Sequence, residues 1–68
     1  MKYTVVLLYP DYIATNYGQD IYATHQEASN VELAVLMAQE SAANLYEAEP
    51  EDFYPLFVVA GHHDDLTP

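Results

Sequence analysis

The stretch that decides the fold is SNVELAVLMAQESAANLYEA, residues 29–48. At about 100° per residue, its apolar side chains fall on about one third of a helical wheel. These are Val31, Ala34, Val35, Ala38, Ala42, Leu45 and Tyr46. Such a stripe predicts an amphipathic helix packed on a sheet. Ser29 and Glu32 fit a capping box, which predicts a start at Ser29. The acidic run 47–52, which contains Pro50, predicts the end.

Three strands are predicted around this helix. Residues 3–9 carry apolar side chains on both faces, which indicates a central strand that ends at Pro10. Residues 20–28 are more polar and alternate weakly, which favours an edge strand whose inward face the pattern leaves open. Residues 53–61 form the third strand, and Pro55 near its start favours the other edge.

This order predicts an α+β domain of topology β-β-α-β. The connection rules predict a three-stranded antiparallel sheet of order 2-1-3 with the helix on one face. We expect residues 1–68 to form one domain whose polar tail, 61–68, frays.

Residues 10–19 are predicted to be a loop, because they contain Asp11, Asn16 and Gly18. The same loop carries Tyr12, Ile13 and Tyr17, more apolar bulk than a passive turn needs. These side chains either cover an open end of the core or form a contact surface, and the sequence favours the covering role.

Charge is the most unusual feature of the composition. Eleven carboxylates and a single basic residue, Lys2, give a formal net charge of −10. No basic footprint exists for nucleic acid or an anionic membrane, so both are disfavoured as direct partners. A basic partner protein and simple solubility are the two interpretations that remain. The chain has no cysteine, no recognisable signal peptide and no long apolar run, so we expect a cytoplasmic protein.

The sequence gives little support to catalysis or to a cofactor. With two glycines there is no Gly-rich phosphate loop, and a domain this small has little volume for a dry cleft. His25, His62 and His63 could ligate a metal together with Asp64 and Asp65. Adjacent strand residues point to opposite faces, however, so an ordinary polar strand end is the better interpretation. We therefore expect no enzyme, cofactor or metal site.

The carboxylates remain as a candidate partner-binding surface. A band of them can imitate the phosphates of DNA and compete for a surface rich in Lys and Arg. The candidate residues are Asp11, Asp20, Glu40, Glu47, Glu49, Glu51, Asp52, Asp64 and Asp65. The alternative interpretation is an ordinary solvated face.

Apolar residues outside the predicted core suggest a second kind of contact. Leu33, Leu36 and Met37 lie off the helical stripe, and one face of the predicted sheet has no cover. Either surface could join a partner or a second copy. Scattered surface hydrophobes are the alternative.

Parts of the sequence also resemble small phage and prophage proteins. The resemblance lies in Leu8–Ile13, in Asn16-Tyr17-Gly18, in the helix with Ala34, Ala38 and Gln39, and in Gly61-His62-His63-Asp64. Among such proteins the chain is similar to the acidic anti-CRISPR inhibitors. The resemblance implies a non-catalytic protein that binds a basic DNA-recognition surface of a CRISPR effector in the host bacterial cell. No functional residue is carried over from these families. The alternative is a dimerising phage accessory or antitoxin-like module without DNA mimicry.

Overall fold

The computed structural model describes residues 1–18 and 20–63. The elements in chain order are β1 (Lys2–Leu8), α1 (Asp11–Tyr17), β2 (Ile21–Glu27), α2 (Val31–Tyr46), a 3₁₀ turn (Pro50–Asp52) and β3 (Tyr54–Ala60). The architecture is α+β, with one long helix on a three-stranded sheet, as predicted.

The sheet has the predicted order β2-β1-β3. Both outer strands run antiparallel to β1, so Val5 lies opposite Thr24 on one side and Val58 on the other. The register of β3 shifts between Val6 and Leu7, which leaves Leu56 as the extra residue of a bulge. The central strand is therefore the one with apolar residues on both faces.

The core lies between α2 and one face of β1. The large side chains come from the sheet, where Tyr3, Val5 and Leu7 are buried. The helix contributes small residues instead, and the buried ones are Ala34, Ala38, Ala42 and Ala43. Phe53, which follows the 3₁₀ turn, is fully buried in the same cluster.

The predicted start of α2 is wrong by one residue. Asn30 is the N-cap, and its side-chain oxygen accepts a hydrogen bond from the Leu33 amide at 2.8 Å. Asn caps a helix as well as Ser does. Ala28 is still tied to the sheet, where its amide donates to Met1 O at 3.0 Å. The chain therefore turns into the helix after Ser29, and the Ser29–Glu32 capping box does not form.

The predicted apolar stripe is wrong near both ends of α2. Val31 is 45% exposed and Leu45 is 63% exposed, whereas Ala43 is buried. A helical wheel gives the direction of a side chain but not whether another element lies beneath it.

The chain that follows α2 folds back along the helix, because the Gln39 side chain donates a hydrogen bond to Phe53 O at 2.8 Å.

The predicted loop between β1 and β2 contains the short helix α1. It follows Pro10 and ends at Gly18, whose φ of 68° is left-handed and whose amide bonds to Ala14 O. Ile13 on this helix is 3% exposed and belongs to the core, whereas Tyr12 is 52% exposed. Ile13 therefore has the covering role that the sequence favoured.

Neither α1 nor α2 has both the length and the apolar character that a membrane crossing requires, among the residues that the structure describes.

The end of α2 offers a direct test of backbone strain. Glu47 has a φ of 53°, and a left-handed conformation costs a non-glycine residue about 1 kcal/mol. We predict that Glu47→Gly raises the free energy of unfolding in urea by about 1 kcal/mol. Glu49→Gly is the matched control: it removes the same charge at a φ of −91° and is expected to give no such gain. Equal effects of the two substitutions would contradict this account.

Candidate acidic interface

The topology gathers the turns of the chain at two ends of the domain. At one end β1 finishes at Leu8, opposite the first residues of β2 and β3, Ile21 and Tyr54. The C-terminal turn of α2 reaches the same end, where the hydroxyls of Tyr9 and Tyr46 are 2.7 Å apart. Helix α1 and the 3₁₀ turn connect these elements, so they lie at this end as well.

Six carboxylates lie on the segments at this end, which we call the acidic end. All six residues are exposed: Asp11, Asp20, Glu47, Glu49, Glu51 and Asp52. No basic residue accompanies them, because Lys2 is the only Lys or Arg in the sequence and lies at the other end of β1.

A hydrogen bond joins two of the acidic segments. The Tyr12 hydroxyl on α1 donates to an Asp52 carboxylate oxygen on the 3₁₀ turn at 2.8 Å. That bond to Asp52 raises the pKa of Tyr12, and the negative charges of Asp52 and Glu49 raise it further. The charges of α1 and of the 3₁₀ turn therefore form one surface.

The acidic segments rest on an aromatic cluster in which Tyr9 and Phe53 are buried and Tyr22 and Tyr46 partly so. The Tyr9 ring lies 5.3 Å from Tyr46 edge-on, 5.9 Å from Tyr22 and 6.3 Å from Phe53, measured between centroids. Burial and the hydrogen bond to Tyr46 raise the pKa of the Tyr9 hydroxyl well above 10. Phe53 is fully buried and anchors the 3₁₀ turn that precedes it. The Gln39 side chain donates a hydrogen bond to the Phe53 carbonyl oxygen.

The charges at this end do not help the fold. The C-terminal end of a helix carries the negative pole of its dipole and is stabilised by cations. The last turn of α2 has no basic residue, and Glu47 and Glu49 follow it directly. Like charges at the negative pole lower stability, so folding alone does not explain this arrangement.

The nine carboxylates predicted as a partner-binding set fall into three groups. Six form the acidic end. Glu40 is exposed on α2 but lies more than one helical turn from its C-terminus. Asp64 and Asp65 lie outside the described residues. Sequence spacing did not reveal Tyr12 and Gln39 as residues that position the acidic segments, because both contacts join parts far apart in the chain.

The opposite end of the sheet carries Lys2 and the three histidines, His25, His62 and His63. His25 and His62 stack with ring centroids 3.6 Å apart, and an open pocket of about 190 Å³ beside them is lined by Lys2, Gln26 and Glu27 as well. This volume is below the ~300 Å³ of ordinary ligand pockets.

Thr4 organises this end of the sheet. Its hydroxyl donates to Gly61 O at 2.9 Å and accepts from the His63 amide at 3.0 Å. A hydroxyl has one proton, so the contact at 3.0 Å to His25 Nδ1 requires that nitrogen to be the donor. His63 Nε2 lies 2.7 Å from Ala60 O and is the donor there, because a carbonyl oxygen can only accept. The described part of the predicted tail, 61–63, is therefore bonded to the sheet.

Of the metal-ligand candidates His25, His62 and His63, the first two stack on each other. Within residues 1–18 and 20–63, no three His, Asp or Glu side chains are grouped as a metal site. Asp64 and Asp65 of that candidate set lie outside these ranges.

No protein-family model, no curated protein and no solved structure matches this chain.

The aromatic cluster predicts how stability changes at high pH. The folded pKa of Tyr9 exceeds the unfolded value of 10, so the folded state retains a proton that the unfolded state loses. Stability is then complete below pH 10 and falls as the pH rises further. Urea unfolding between pH 8 and pH 11.5 measures this fall, and Tyr9→Phe is expected to reduce it. Tyr54→Phe, at a residue 64% exposed, is the matched control. An equally steep fall in Tyr9→Phe would contradict the assignment.

Proposed function

We propose that the chain is a non-catalytic inhibitor that binds another protein through its acidic end. The carboxylates there take the place of DNA phosphates on a basic DNA-binding surface. The observation that carries the proposal is the grouping of six exposed carboxylates at the end of the domain that lacks any Lys or Arg.

The density of charge supports mimicry of a phosphate backbone. The domain measures 33 × 23 × 16 Å, and the acidic end lies at one end of the strands and of α2. One DNA strand carries a phosphate every ~3.4 Å, so six carboxylates equal in number the phosphates along about 20 Å of one strand. Mimicry of this kind does not require a match at each phosphate position.

The rigidity of the acidic segments also supports a binding role. A charged surface binds better when its groups need no ordering on association. The Tyr12–Asp52 bond joins α1 to the 3₁₀ turn, and buried Phe53 anchors that turn. The unfavourable position of Glu47 and Glu49 at the C-terminus of α2 fits a surface that a basic partner neutralises.

A CRISPR effector complex is the partner that we propose. The support for this choice is the resemblance of Leu8–Ile13 and Gly61–Asp64 to small phage and prophage proteins, together with the short, acidic and cysteine-free chain, which resembles the anti-CRISPR inhibitors among them. Such a partner would act in the bacterial cytoplasm, and inhibition would be stoichiometric because the chain would occupy the site of target DNA.

Paired substitutions test whether binding depends on the acidic end or on net charge. Glu49→Gln with Glu51→Gln removes two charges there, and Glu27→Gln with Glu32→Gln removes two exposed charges elsewhere. At about 0.5 kcal/mol per exposed charge, we expect the first pair to weaken binding to a purified effector about fivefold. The second pair should change the dissociation constant less than twofold. Calorimetry measures both, and equal losses would show that only net charge matters.

Salt and DNA give an independent test of mimicry. Binding to the effector should weaken as ionic strength rises from 50 to 500 mM, because exposed charges are screened. Prior loading of the effector with target DNA should abolish it. Binding that is unaffected by both salt and DNA would overturn mimicry, although it would leave protein binding as such intact.

A further inference from the structure

Three large apolar side chains are exposed on one face of the sheet beside the acidic end. Successive residues of a strand point to opposite faces, and residues opposite each other in an antiparallel pair project to the same side. Leu8 lies opposite Tyr54 and Val6 lies opposite Phe57, so these four share the face away from α2. Tyr54 is 64% exposed, Phe57 47% and Leu8 39%. We call Leu8, Tyr54 and Phe57 the aromatic patch.

The large apolar exposure on this face is confined to the half beside the acidic end. Toward the Lys2 end, Val6 is 1% exposed and Thr4 is fully buried. The Thr4 hydroxyl is hydrogen-bonded to Gly61 O and to the His63 amide, so the chain that follows β3 covers that half. The aromatic patch is the half that stays accessible.

Carboxylates flank the aromatic patch on both sides. Asp52 precedes Tyr54 by two positions, just before β3 begins. Asp20 immediately precedes Ile21, which lies opposite Leu8 on the β2 side. Both carboxylates are exposed and belong to the acidic end. The patch is therefore continuous with the surface that we propose for the partner.

We infer that the aromatic patch binds arginine side chains of the basic partner surface, an inference that rests on the proposed function. A guanidinium is planar and weakly hydrated, so it stacks on an aromatic ring and pairs with a carboxylate at the same time. A lysine ammonium is a compact, strongly hydrated charge that gains less from a ring. Tyr54 offers the ring. Asp52 has acceptor sites left after its bond with Tyr12, because a carboxylate has about four of them.

Charge complementarity selects arginine over an apolar occupant. An apolar partner surface would desolvate Asp20 and Asp52 without a counter-ion, and an unpaired charge is costly to bury. A lysine surface would pair with these carboxylates but would gain little from the rings of the patch. Tyr and Arg are also enriched among the residues that contribute most to protein interfaces. Arginine is the side chain that uses both features of this surface.

Short cationic peptides test the inference on the full chain without an effector. The probes are hexaarginine and hexalysine, which carry the same charge and differ in the charged group. NMR titration at 50 mM salt, where screening is weak, is expected to give a dissociation constant about fivefold lower for hexaarginine. The amide signals of Tyr54 and Phe57 should shift more with hexaarginine than with hexalysine.

Substitutions at Tyr54 separate ring stacking from charge. Tyr54→Leu removes the ring at an exposed position, so hexaarginine should then bind about as weakly as hexalysine. The dissociation constant of hexalysine should change less than twofold. Tyr54→Phe keeps the ring and should keep the preference. Leu36→Ala on α2, at a residue 55% exposed, is the matched control and should keep it as well.

Equal binding of the two peptides by the native chain would overturn the inference, and so would a preference that persists in Tyr54→Leu. Either result would leave the proposed function intact, because that function requires only the carboxylates. The salt and DNA tests on the effector decide the proposed function separately.

Discussion

The contact on which the structure depends is that between the alanines of α2 and the inner face of β1. Ala34, Ala38 and Ala42 have no exposed surface, and neither have Val5 and Leu7 of the strand beneath them. Small side chains on the helix let its axis approach the sheet closely, so the larger strand residues fill the core. The remaining elements follow from this contact. The strand order, the return of the chain after α2 and the burial of Phe53 all bring the turns to the two ends of the domain.

This arrangement also separates the charges. The turns that close the core at one end carry Asp11, Asp20 and the run from Glu47 to Asp52, whereas Lys2 and the three histidines lie at the other end. A fold selected for stability alone would offer a cation to the C-terminus of α2. We find carboxylates there, held by Tyr12 and by the anchored 3₁₀ turn. Local conflict with the rules of stability is expected at a functional surface.

The sequence predicted the sheet order and the long helix because both depend on strong local patterns. The apolar residues on both faces of β1 indicated its central position, and Pro55 indicated an edge strand. The N-cap of α2 could not be predicted, because Asn30 and Ser29 are equivalent N-caps. The ends of the apolar stripe could not be predicted either. The exposure of Val31 and Leu45 depends on what lies beneath the helix.

Helix α1 and the grouping of all six carboxylates at one end were missed for a different reason. The turn-forming residues of 10–19 suggested a loop, and tertiary packing of Ile13 overrides that local preference. The carboxylates were visible in the sequence as candidates, but not their grouping. The Tyr12–Asp52 bond joins residues forty positions apart, and no local pattern reveals such a contact.

The most direct test of the central claim is to map the surface that contacts a DNA-free CRISPR effector complex. Cross-saturation measured by NMR on the full, labelled chain reports which amides lie against the partner. The account predicts loss of signal at Asp11, at Tyr12 and from Glu47 to Asp52, with α2 residues 32–40 unaffected. Loss of signal centred on the middle of α2 or on the sheet face away from α2, with the acidic end unaffected, would contradict it.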